Sequence, residues 1–216
     1  MTGNETLSAR IRRETASDHR NAEGGDAMTR LLRGALPLDG YLDLVVQMQA
    51  LYATLESESR RHPSDSRFGG FFDAALERSP SLAVDRVALE SRTGRPGGDV
   101  FESTRSFVGR LSEVGANPLL LLAHHYTRYM GDLSGGIMIG RAVDEAYSFA
   151  GGAGVSWFQF PTIADVDAYK NAYRARLDAL ALDADDADDA DRLIAEIHLS
   201  YSLNGAVLRD VSARHV

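Results

Sequence analysis

A chain of 216 residues, 44% of them apolar, carries ample material for a core. Its net charge of −8 opposes a nucleic-acid-binding role, which needs a basic surface to displace counterions from phosphate, although a local basic patch stays open. The lack of cysteine excludes disulfides, thiolate catalysis and cysteine-ligated zinc or iron–sulfur centres.

The N-terminal residues show no charged lead followed by an apolar block, and no apolar run approaches the ~18 residues that span a bilayer. The C-terminal residues carry no anchor either, so the expectation is a soluble, cytoplasmic chain without a membrane anchor. Leu7, Ile11 and Thr15 recur every four residues and predict a helix over residues 6–23, stopped by Gly24 and Gly25. Asp26 is placed to cap a short helix ending at Gly34. Residues 37–61 read as a long amphipathic helix carrying Leu42, Val45, Val46, Met48, Gln49 and Tyr52, ended by His62-Pro63. Residues 67–91 suggest one or two short helices broken at Ser79-Pro80, and residues 93–99 a turn rich in Gly and Pro. A further helix is predicted over residues 100–114.

The next element begins near Asn117 and runs through the apolar stretch Leu119 to Ala123 into His124 and His125. Gly131, Gly135 and Gly136 then appear where a helix avoids them, each costing roughly 1 kcal/mol relative to Ala. Gly131 and Gly135 share one face, which leaves bare backbone suited to a kink or to the close approach of something flat and large. Arg128 and Asp132, also four apart, put an ion pair beside that strip. The competing reading is a helix–helix crossing through small residues.

Residues 137–146 look helical, residues 149–161 form a packed loop in which Trp157 and its Phe neighbours are packing residues, and residues 162–182 form a helix with a Thr162/Asp165 capping pattern. The acidic run 183–191 reads as a solvated connection plus the negative first turn of a last helix over residues 191–212. With strand signals sparse, the expectation is an all-α, single-domain protein over residues 1–216.

Six histidines are present. None forms an i, i+4 metal pair, and no Glu-x-x-His motif of a di-iron bundle occurs. His19 lies four residues before Glu23 and seven after Arg12, about 10 Å along a continuous helix. One face would thus offer an imidazole, a carboxylate and a guanidinium, which suits a metal macrocycle with acidic arms as well as it suits a solvated helix face.

The segment Tyr126-Thr127-Arg128-Tyr129 and Gly131-Asp132-Leu133-Ser134-Gly135-Gly136 resembles the heme oxygenase signature, in which a kinked distal helix lies over heme. The stretch from Thr15 through His19 to Ala22 and Glu23 is similar to that family's proximal segment, and Tyr52, Lys170, Arg174 and Asn204 match in order along nearly the whole chain. The resemblance implies heme between a proximal and a kinked distal helix, with His19 as axial ligand of the iron and Glu23 influencing its ring. It implies Arg12, Lys170 and Arg174 on the propionates, and Tyr126, Thr127, Gly131, Ser134 and Gly135 along the heme. Asp132 would order a water near the reacting oxygen, held by Arg128, Tyr52 and Asn204. Heme b would be cofactor and substrate at once, cleaved with O2 and electrons from a ferredoxin or flavoprotein reductase to biliverdin, CO and iron by a monomer. The alternative is a non-cleaving heme carrier or sensor on the same fold. His124 and His125 read as packing residues, because the family ligand lies on the first helix. Departures from the family pattern are Ile137 for Gln, Arg12 for Lys, Ala16 for a second Lys and Leu208 for Phe, changes that bear on heme seating.

Overall fold

The computed structural model describes residues 5–23, 25–180, 182 and 187–215, and among these every regular element is helical. The first expected helix is two. Helix α1 (Leu7–Glu14) is capped by the Thr6 hydroxyl and ends at Thr15, after which α2 (Ala16–Glu23) starts. Thr15 is buried, and its own hydroxyl returns to the Ile11 carbonyl at 2.8 Å, a local bond that competes with continued helix. Arg12 and His19 therefore stand on separate helices rather than on one continuous helix. Gly25, not Asp26, occupies the cap of α3 (Asp26–Leu32). The Asp26 carboxylate instead accepts from the Ser212 hydroxyl near the other end of the chain.

Helix α4 (Leu38–Ser59) departs from the amphipathic expectation, because residues 40–48 are buried on every side. It runs through the middle of the bundle, contacting α5 (Ser79–Thr93), α6 (Glu102–Val114), α7 (Pro118–Gly131) and α10 (Ala187–Arg214), so it has no solvent face to keep polar over that stretch. Pro80 does not break a helix; it sits in the first turn of α5, where its missing N–H costs nothing. The first amides there are taken by Glu56 of α4, which accepts from Arg78 at 2.5 Å and Ser79 at 3.1 Å. Between them, residues 67–78 hold only the short 3-10 turn Ala74–Leu76, tucked in by the buried rings of Phe68 and Phe71.

Asn117 caps α7 through the amides of Leu119 and Leu120. Helix α7 passes without leaving the helical region into a widened, π-type turn over Asp132–Gly136 and then into α8 (Ile137–Tyr147). Widened turns of this kind bend a helix at functional positions. Helix α9 (Val166–Asp178) is capped by Asp165 rather than Thr162 and ends four residues short of the expected boundary. Residues 183–186 of the acidic run lie outside the described residues; Asp188 and Asp189 fall in the first turn of α10, which begins earlier than expected.

The loop before α9 is tied down by one carboxylate. Asp85, fully buried on α5, accepts the amides of Gly154, Ser156 and Trp157 and the Ser156 hydroxyl, at 2.7–3.0 Å. Tyr41 of α4 donates to the Gly154 carbonyl at 2.6 Å and accepts from the Trp157 indole at 3.3 Å. Phe158 is thereby pressed onto α8 at Gly140, where an added Cβ would come within 2.4 Å of the Phe158 Cβ. Gly140→Ala should therefore destabilise the protein by about 1–3 kcal/mol through overpacking, read as a lower urea midpoint at unchanged slope.

Candidate functional site

Around the widened turn the backbone is bare on one side. A Cβ built on Gly131 meets no atom within 4 Å, and one on Gly135 meets only the Ile139 Cδ1 at 3.9 Å. The small-residue strip thus borders open space, which discards the helix-crossing reading. The space is a cleft of two adjoining lobes, of about 350 and 180 Å³, with His19, Thr127, Gly131 and Tyr201 on both. The size suits a small-molecule site.

The larger lobe is mostly apolar, with Met28, Leu32, Ile139, Trp157, Phe158 and Leu208 on its walls. The smaller one carries Arg12, Arg174, Tyr126, Ser134 and Ser8. A flat apolar body with anionic arms matches this division: hydrocarbon loses water in one lobe, and guanidinium groups meet charge in the other. Among the described residues no group of three His, Asp or Glu side chains could hold a bare metal ion. A single imidazole at a slot instead suits a metal that brings its own equatorial ligands.

His19 comes from α2, which packs on α1, α3 and α10. Its ring meets Tyr201 edge-on with centroids 6.4 Å apart, and the neighbouring Asp18 ties the helix to α10 through His198 Nδ1 at 2.6 Å. The side chain of Glu23 lies outside the described residues. Lys170 is turned to Asp167, with Nζ 2.8 Å from its carboxylate, and does not line the cleft; Arg174, one turn on, does.

Beneath the turn lies a buried polar cluster drawn from four elements. Tyr52 of α4 donates its hydroxyl to Asp132 Oδ2. That hydroxyl accepts two bonds from Arg128 of α7, at 2.8 and 3.1 Å. Arg128 also donates to Asn204 Oδ1 of α10 at 2.7 Å and stands 3.5 Å from Asp132 Oδ1. Burial pushes the Asp132 carboxyl above its ordinary 3.8, against the pull of the Arg128 charge and the Tyr52 bond. Burial likewise raises the Tyr52 hydroxyl well above its ordinary range, so it stays a donor. Asp132 and Asn204 line the apolar lobe, which makes them polar points on an otherwise greasy wall.

His124 and His125 face the core, as expected. His124 bonds Glu196 at 2.8 Å; His125 bonds the Tyr173 hydroxyl at 2.9 Å, and burial depresses it to about 3, so it is neutral. Glu196 also accepts from two guanidinium nitrogens of Arg110, Nε and Nη2, and is held at about 2, its hydrogen bonds to His124 and Arg110 outweighing burial. Missed from the sequence were Tyr201, Met28 and the double role of Trp157 and Phe158, which pack the loop and wall the cleft. Tyr201 and Leu208 stand three before and four after Asn204, so the helical face of that one residue carried the signal.

The family described as heme oxygenase matches residues 5–210. The chain is similar to a heme oxygenase of Guillardia theta, 27% identical over 212 residues that cover 97% of this chain and 88% of that protein. It is 30% identical to heme oxygenase 1 of Bos taurus over 201 residues, 92% of this chain and 68% of that one. The crystal structure of heme oxygenase-1 from Synechocystis sp. PCC6803 in complex with heme superposes with a TM-score of 0.88 at 27% identity, covering 97% of this chain and 93% of that one.

Removing the Tyr52 hydroxyl would leave Asp132 and Arg128 each short of a buried partner. Tyr52→Phe should cost about 1–3 kcal/mol and raise the Asp132 pKa further, because the lost bond lowers it. A carboxyl raised in the folded state adds stability that is complete below its unfolded value and is lost as pH rises through the folded value. The variant should extend that window to higher pH, followed by carboxyl NMR titration and by unfolding at several pH values.

Proposed function

The chain belongs to the heme oxygenase family, an oxidoreductase family, and on that premise we propose that it cleaves heme b with O2 to biliverdin, CO and ferrous iron, drawing electrons from a ferredoxin or flavoprotein reductase. The observation that carries the reading is the slot bordered by His19 on α2 and the bare backbone of Gly131, over a buried Asp132–Tyr52–Arg128–Asn204 cluster. The whole of residues 1–216 would serve as one heme oxygenase domain, monomeric and cytoplasmic; among the described residues no helix is long and apolar enough to cross a membrane.

Heme, when bound, supplies both the iron at which O2 is reduced and the ring carbon that is oxidised. His19 would ligate that iron through a neutral imidazole, with Glu23 one turn away on α2. Arg12 and Arg174 would meet the propionates in the polar lobe; Lys170 would join them by leaving Asp167. Gly131 and Gly135 bring no side chain of their own to the slot, so neither position would donate directly to a bound oxygen in the manner that favours O–O cleavage. Tyr126, Thr127 and Ser134 line the same edge. Asp132 would act through an ordered water, a role its burial suits because Tyr52 and Arg128 fix the carboxyl and leave it few orientations. Arg128 and Asn204 hold that carboxyl's setting from the far side.

A non-cleaving carrier would need the slot and the imidazole but not this cluster, whose buried charges are costly to keep without use. Adding heme and a reductant in air should bleach the Soret band and grow biliverdin absorption; a persistent Soret band would overturn the enzyme reading. Asp132→Ala should retain heme yet lose ring opening. His19→Ala should lose the histidine-ligated spectrum and regain turnover only with added imidazole.

A further inference from the structure

Arg12 and Arg174 face one lobe of the cleft from helices at opposite ends of the chain. Their spacing must be set by whatever joins α1 to α9. Ser8 precedes Arg12 by four residues, and Asp178 follows Arg174 by four. The Ser8 amide donates to one Asp178 oxygen at 2.7 Å and the Ser8 hydroxyl to the other at 3.0 Å. The join therefore lies one helical turn from each guanidinium-bearing position.

The clasp is also well formed for α1 itself. Ser8 lies in the first turn, where amides have no helical partner, so Asp178 caps from another helix and sets a negative charge at the positive end of the helix dipole. The other ties of α1 point elsewhere: Arg10 pairs with Glu14 and with Asp191 of α10, and Arg13 with Glu5 and Glu14. Tyr126, on the same lobe, feels both guanidiniums, which pull its hydroxyl down against the rise that burial causes. Arg174 is steadied on its own helix by Asn171 Oδ1 at 3.1 Å.

We propose that Asp178 is a positioning residue that, by clasping Ser8, holds Arg12 and Arg174 at the separation of two carboxylate arms on one flat ligand. It makes a two-pronged anion grip out of two helices far apart in sequence. The proposal rests on the heme reading, in which the arms are the propionates.

The test uses the full-length chain and two probes, ferric heme and its dimethyl ester, which lacks the charged arms. Binding is followed by Soret titration and by quenching of Trp157, the single tryptophan, which lines the cleft. Asp178→Ala should weaken heme binding roughly three- to tenfold, the scale of losing one or two preorganised side chains. It should leave the diester unchanged and add nothing in an Arg12→Ala/Arg174→Ala background. Asp178→Asn, which keeps one acceptor for the Ser8 amide, should lose less. Equal weakening of heme and diester would mean that α1 has merely loosened, and it would overturn the proposal, as would unchanged heme affinity. Should Asp178→Ala fail to fold, Ser8→Ala decides on the same two probes, since it removes the hydroxyl half of the clasp and leaves the amide bond to Asp178 in place. A parent chain that binds neither probe would overturn the heme reading beneath the proposal, an outcome distinct from a parent that binds both while Asp178→Ala shows no discrimination.

Discussion

An ionisable side chain set under a helix bend must be satisfied by whatever surrounds it, and Asp132 imposes that demand on the whole bundle. Its partners come from α4, α7 and α10, so three helices must stay in fixed register for Tyr52, Arg128 and Asn204 to reach one another. Loss of one member leaves the others stranded in low dielectric, which makes the cluster behave as a unit. Helix α4, buried on every side over residues 40–48, carries the buried Tyr52 one turn further on into this cluster. The bend then needs no side chain at Gly131 or Gly135, which border open space.

The cleft joins two kinds of attraction in sequence-distant walls. Apolar residues from α3, α8, α10 and the loop at Trp157 line one lobe; arginines from α1 and α9 line the other. The clasp between Ser8 and Asp178, the Asp18–His198 pair and the Asp85 anchor each fix one of these walls through a carboxylate. Orientation of a bound molecule is then a matter of which lobe accepts which of its ends.

Much of this was legible in the residues. The crowding of Gly131, Gly135 and Gly136 beside Arg128 and Asp132 marked the bend, because helices exclude glycine unless backbone must be exposed. His19 was legible only jointly with that motif, since an isolated histidine on a polar helix has several uses. What could not be read was set by tertiary contact. The break at Thr15 depends on a side-chain-to-backbone bond that any helical threonine could make or forgo. Lys170 matched through the family resemblance, but a nearer carboxylate, Asp167, holds it away from the lobe. Tyr201 and Met28 were hidden because an interior wall and a core face share the same periodicity.

Asp85 gathers the stretch from Gly154 to Trp157 onto α5 with four hydrogen bonds. Upstream, Ser148, Ala150 and Gly151 adopt left-handed backbone angles in an exposed excursion that contributes no cleft wall. Residues added to or removed from that excursion would be absorbed before reaching the anchor, since surface loops lengthen at small entropic cost. The stretch ahead of Gly154 is thus a place where length can drift between lineages, or where a tag can be spliced in, while the aromatic wall beyond it keeps its address.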